Sequence, residues 1–185
     1  MTLLVLGVAL WSAAHLFKRL APDARAGMGE AGKGVVAVLV VAAVVMMVLG
    51  YRGAEFRNLY FPPAWTVHLN NTLMLIAVGL FGAAHSKSRL RAKLRHPMLT
   101  GMLSWAIAHL LVNGDLASLL LFGGLGIWAV AEMLIINARE QGYAPWQGGS
   151  VAGDIKLAVI TLVVFGAIAG IHGWIGPSPF PGGAS

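Results

Sequence analysis

The 185-residue chain contains no cysteine. Disulfides, thiolate zinc sites, iron–sulfur clusters and covalent CxxCH haem attachment are thereby excluded. Any metal or haem must rest on His, Met or oxygen ligands. Charge is also scarce: 11% of residues are Asp, Glu, Lys or Arg, 58% are hydrophobic, and the mean hydropathy is +0.77. Soluble domains carry about 25% charged residues, so the chain is read as an all-α polytopic membrane helix bundle. Acids are scarcer than bases, leaving a formal charge of +6. The basic residues sit in loops between apolar runs, so they report topology within a lipid bilayer, and no nucleic acid partner is expected.

About six transmembrane helices are expected. Thr2 to Leu20 is apolar apart from Ser12 and His15, and Lys18 and Arg19 follow it. That order is the reverse of a signal peptide's, which predicts a retained first span. Gly34 to Gly50 has no ionisable group and reads as lipid-facing wall. Tyr51 to Trp65 is an aromatic connector suited to the interfacial belt. The third span runs from near Thr66 to Ala84-His85, the fifth from Leu116 to Ile136, and the sixth from Ile155 to Ile175. Residues 1–176 are expected to form one helical domain, and 177–185, rich in Pro and Gly, a flexible tail. Eleven of the thirteen Lys and Arg residues fall in loops one, three and five. By the positive-inside rule those loops face the cytoplasm and both termini face the outer, periplasmic side of a bacterial inner membrane.

The fourth segment, Arg95 to Asp115, organises the rest. His96 precedes Pro97, a residue suited to a first helical position, and Asn113-Gly114-Asp115 marks the stop. Its unbroken apolar core, Met98 to Val112, is 15 residues. At about 1.5 Å per residue it is roughly 22 Å long, short of a hydrocarbon core of about 30 Å. It carries one ionisable residue, His109, and such a residue within lipid is a functional candidate by default.

Three histidines end near-copies of one pattern: Trp11 to His15, Phe81 to His85 and Trp105 to His109, each an aromatic, two variable positions, then Ala-His. On a helix the aromatic lies one turn away on the same face, and the small neighbours leave clearance beside the imidazole. A flat macrocycle held through iron needs such clearance. The plainer reading is an imidazole satisfied by a helix carbonyl, with Ser12 or Ser104 as polar neighbours. His15 and His109 lie inside apolar spans, where an unpaired polar group costs a few kcal/mol. His85, His96, His68 and His172 are expected at the interfaces. Glu132 is expected to pair with Arg139 or with a histidine. Ideal helices place His15 and His109 on the order of 10 Å apart along the membrane normal, so a shared haem requires the fourth segment to ride low or tilt.

The segment RHPMLTGMLSWAIAHLLVNGDLASLLLFGG, with AAHLFKRLAP on the first span, resembles the NnrU family of bacterial integral membrane proteins. That family includes the 15-cis-zeta-carotene isomerases, and the resemblance runs from about Leu3 to Pro179. It implies haem b with axial ligands at His15 and His109, flanked by Trp11 and Trp105, and a further matching histidine at His172. His85 and His96 are lesser candidates as metal ligands. Isomerases carry a cysteine three residues before the second histidine, where this chain has Ala106. The resemblance implies a redox or accessory role in denitrification and nitrogen-oxide metabolism, with denitrification or respiratory membrane proteins as partners. Two rivals stand beside it: a haem-dependent isomerase of an apolar polyene, and a haemless assembly or scaffold subunit. The catalytic residues are unknown.

Overall fold

A computed structural model describes residues 1–176 and 178–180 of the chain. The described residues form α1 (Thr2–Leu20), α2 (Pro22–Gly27), α3 (Ala31–Arg52), α4 (Thr66–Ala83), α5 (Leu90–Lys93), α6 (Pro97–Leu110), α7 (Leu116–Ser118), a π-helical turn (Leu119–Gly123), α8 (Gly124–Arg139) and α9 (Val151–Ile175). No strand occurs among them, and Asn58 and Asp115 form an isolated antiparallel bridge. The architecture is therefore an all-α polytopic bundle. Local chemistry sets the helix starts. Pro22 and Pro97 open α2 and α6, Asp115 accepts from the Ser118 N–H to cap α7, and Ser150 accepts from the Gly153 N–H to cap α9.

Five helical stretches are long and apolar enough to cross a membrane: Thr2–Leu20, Ala31–Arg52, Thr66–Ala83, Leu116–Arg139 and Val151–Ile175. The remaining apolar segment forms α6, whose 14 residues span about 21 Å. Of the six expected spans, five have crossing length and the fourth is short, as its 15-residue apolar core implies. Large apolar side chains stay exposed along α3 and α9, including Val38, Val41, Leu162 and Val163. Lipid, not water, suits such surfaces.

The chain contacts divide into two compact units, Met1–Phe61 with Asn113–Arg139, and Pro62–Val112 with Glu140–Ser185. In the first, α1 packs on α3 and α8. The α1–α3 seam is made by small residues: a Cβ on Gly50 would overlap the Leu4 backbone, and one on Gly7 would lie 2.8 Å from Met47 N. Ala43, whose carbonyl lies beside Gly7, is buried along it. Backbones approach this closely where no hydrophobic drive exists between helices in lipid, because dispersion contacts must do the work. The aromatic connector docks on the turn that follows α6. Leu59 N–H and Tyr60 N–H donate to Gly114 O, Leu116 N–H donates to Arg57 O, and Tyr60 Oη donates to Asn113 O. Beneath it Ser118 Oγ donates to Asp115 Oδ2 at 2.6 Å, so its lone pairs accept from Tyr51 Oη at 2.8 Å.

In the second unit α4 packs on α6 and α9. Gly101 allows the α4–α6 approach, since a Cβ there would stand 3.1 Å from Ala77 O. The first turn of α9 is clasped by the segment after α4. Asp154 Oδ1 accepts from Ser88 Oγ at 2.7 Å and from Arg89 N–H at 2.8 Å, and Arg89 Nε pairs with Oδ2. The expected tail at 177–185 lies largely outside the described residues. Within it, Pro179 O accepts from Asn71 Nδ2.

Candidate functional site

In the first unit His15 lies one turn beyond Trp11 on α1, and its Nδ1 stands 2.9 Å from Trp11 O. A carbonyl oxygen only accepts, so Nδ1 carries a hydrogen. The Trp11 indole lies 4.2 Å from the imidazole at 32°. Trp128 of α8 closes the cluster edge-on, 4.9 Å from His15 and 5.5 Å from Trp11.

One turn along α8 from Trp128, Glu132 is 7% exposed, and its Oε1 is 3.8 Å from Arg19 Nε. The expected partner Arg139 is thus replaced by Arg19, because α1 packs on α8 and carries that guanidinium to the carboxylate, while Arg139 is exposed at the helix end. The carboxylate also interacts electrostatically with His15, so the expectation of a histidine neighbour holds in part. Trp128 and Arg19 both act as hydrogen-bonding neighbours of the Glu132 carboxylate, while Trp11 Nε1 is buried without a hydrogen-bond partner among the described residues. A buried donor of this kind is uncommon, since most buried polar groups are paired. Trp128 and Arg19 were not anticipated. The only signal for Trp128 was its i, i+4 spacing to Glu132.

In the second unit the arrangement repeats. His109 Nδ1 stands 2.9 Å from Trp105 O, and the two rings are 4.9 Å apart at 48°. Here too the hydrogen is on Nδ1. Ala106 and Ala108 are fully buried beside it, and His172 of α9, itself exposed, is near enough to act electrostatically on His109. Ser12 and Ser104 do not serve the imidazoles. Ser12 Oγ donates to Val8 O and Ser104 Oγ to Thr100 O, each within its own helix.

The third copy of the pattern is not reproduced. Because α4 ends at Ala83, His85 falls in the turn past the helix and is exposed. His85 and the half-buried His96 instead line one cavity of about 540 Å³ at the start of α6. His68 is exposed near the start of α4. No group of three or more His, Asp or Glu side chains among the described residues is arranged to hold a metal ion. A porphyrin supplies four nitrogens of its own and asks the protein for two axial donors at most.

His15 belongs to the first unit and His109 to the second. Each carries the same local geometry: an imidazole on an apolar helix, its Nδ1–H fixed by a tryptophan carbonyl. No curated protein and no solved structure matches the chain. The NnrU protein family model matches residues 3–179, nearly the whole length, and the chain belongs to the NnrU family.

Proposed function

We propose that this NnrU-family membrane protein binds haem b non-covalently through His15 and His109, and serves a redox or accessory role in nitrogen-oxide metabolism. Its place is a bacterial inner membrane with both termini on the periplasmic side, among denitrification or respiratory membrane proteins. The observation that carries the reading is the repeated bond from the histidine Nδ1–H to the carbonyl one turn back, 2.9 Å in both helices. Metal-bound histidines nearly always donate their other ring N–H in this way, which fixes the tautomer and raises the basicity of the ligating nitrogen.

Haem b, when bound, supplies a one-electron iron centre. The chain's own residues orient the donors and exclude water. The rings of Trp11 and Trp128 limit rotation of His15, and Trp105 does the same for His109. The apolar helices lower the local dielectric, which shifts the potential of any bound redox group. The buried N–H of Trp11 lacks an acceptor beside His15, and the edge of a bound group is a fitting source of one.

An isomerase is less well supported. Ala106, at the position of the isomerase cysteine, is buried on α6 and offers no donor.

The test is purification in detergent with haem supplied, followed by absorption spectra of the oxidised and reduced protein. The wild type is expected to show a Soret band, and His15→Ala and His109→Ala are each expected to lose or shift it. A colourless wild type with intact helical circular dichroism, or a band unchanged in both variants, overturns the reading.

A further inference from the structure

The cavity at the start of α6 is lined by the side chains of Arg91, Arg95, His85 and His96, with Tyr143 and Trp146 from the loop before α9. Among the described residues no Asp or Glu lines it. Its volume, about 540 Å³, falls within the range of about 300–1,000 Å³ typical of ligand sites. The arginines are held in a particular way. Arg91 lies over the Trp146 ring at 4.7 Å, and Arg95 lies over the Tyr143 ring at 4.7 Å while donating one N–H to Glu140 O. A guanidinium stacked by its face keeps the N–H groups on its edge available, and that edge matches the paired oxygens of a phosphate. Two arginines preorganised in this way, without a competing acid in the cavity, make an oxyanion site.

The rest of the wall is apolar, from Leu94 through Pro97, Met98 and Leu99. The cavity also adjoins the ends of apolar helices, just past α4 and at the first turn of α6. An oxyanion site with greasy walls, beside interfacial aromatics at a helix end, suits an amphiphile better than a free ion. The segment that carries it, Ser86 to Arg95, holds five basic residues and no acid. We infer that this cavity binds the phosphate headgroup of an anionic glycerophospholipid, with Arg91 and Arg95 on the phosphate and Leu94 to Leu99 against the start of its acyl chains. This site is separate from the haem reading and does not depend on it.

The experiment is native mass spectrometry of the full chain, delipidated in detergent and then offered phosphatidylglycerol or phosphatidylcholine. The wild type is expected to retain one phosphatidylglycerol with roughly tenfold preference over phosphatidylcholine. Each cationic side chain near an anionic headgroup contributes on the order of fivefold, so R91Q/R95Q is expected to lose about tenfold or more in retention. The charge-matched K87Q/K156Q, whose lysines are exposed and do not line the cavity, is expected to stay within about twofold. If R91Q/R95Q fails to fold, R91Q alone, which gives up a single stack, carries the same comparison. Equal loss in both double variants means diffuse surface charge and overturns the inference, as does unchanged retention in R91Q/R95Q. Full displacement of the lipid by millimolar inorganic phosphate also overturns it, since the occupant would then be a free anion.

Discussion

The imidazole of His15 meets the indole of Trp128 across α1 and α8 at a centroid separation of 4.9 Å, with the planes 62° apart. The contact ties a candidate ligand to a helix remote in sequence. It also makes Trp128, 6% exposed, the anchor of the first unit's polar cluster. Trp128→Ala is expected to cost about 3–5 kcal/mol, the range for removing a large buried aromatic. Trp128→Phe, which keeps the edge-on ring, is expected to cost clearly less. Denaturant unfolding in mixed micelles measures both, and equal losses would show that the ring contact is unimportant.

The α1–α3 seam depends on missing side chains. Gly50→Val is expected to destabilise the first unit by about 1–3 kcal/mol, because the new atoms overlap the Leu4 backbone and a backbone cannot swing aside. Gly34→Ala on the same helix meets nothing within 4 Å. It is expected to be neutral or stabilising by up to about 1 kcal/mol, the helix propensity difference. Thermal unfolding of the two variants in one detergent compares them directly.

Asp115 both caps α7 and accepts from Ser118 Oγ, which in turn accepts from Tyr51. Asp115→Ala removes the cap, worth about 0.5–2 kcal/mol. It also leaves the buried Ser118 hydroxyl to find another acceptor, at about 1–3 kcal/mol. A loss of roughly 2–4 kcal/mol is expected. Ser118→Ala, which removes the middle of the chain, is expected to fall in the same range. Non-additivity in the double variant is the check, since residues of one network do not contribute independently.

Burial and the nearby Asp115 charge raise the Tyr60 phenol above its ordinary value near 10. The folded state therefore favours the protonated phenol. The resulting stability is fully present below the ordinary value and is lost as pH rises through the raised one. Tyr60 is 38% exposed, so solvent screening keeps the effect small. Tyr60→Phe is expected to lose its hydrogen bond to Asn113 O at neutral pH, and to show a shallower fall in stability between pH 9 and 11 than the wild type. Parallel alkaline slopes for the two proteins would contradict this.

The fold class was legible because composition decides it. With so few charges the chain cannot be a water-soluble domain, and uninterrupted Val, Ala and Leu runs satisfy their backbone only as helices. The Trp-x-x-Ala-His spacing was legible for a similar reason, since i and i+4 share a face wherever the helix continues. It failed at His85, where the helix stops at Ala83 and the spacing loses its meaning. Asn113-Gly114-Asp115 reads as a stop in the sequence. It is also the start of the next helix, because an aspartate there can reach the N–H of Ser118.

Composition, spacing and local capping thus settled from the sequence alone that this is a thiol-free, helical, membrane-suited chain, with two tryptophan-backed imidazoles on separate apolar segments. Those properties follow from interactions a few residues apart, which any continuous helix must make. Tertiary structure alone decided that Arg19 meets Glu132, that Trp128 closes over His15, and that Arg91 and Arg95 stack on Trp146 and Tyr143 around one cavity. Each of these joins residues far apart in the chain. Which partners meet there depends on how closely small residues let the helices approach and where the loops then fall, and no local period encodes that.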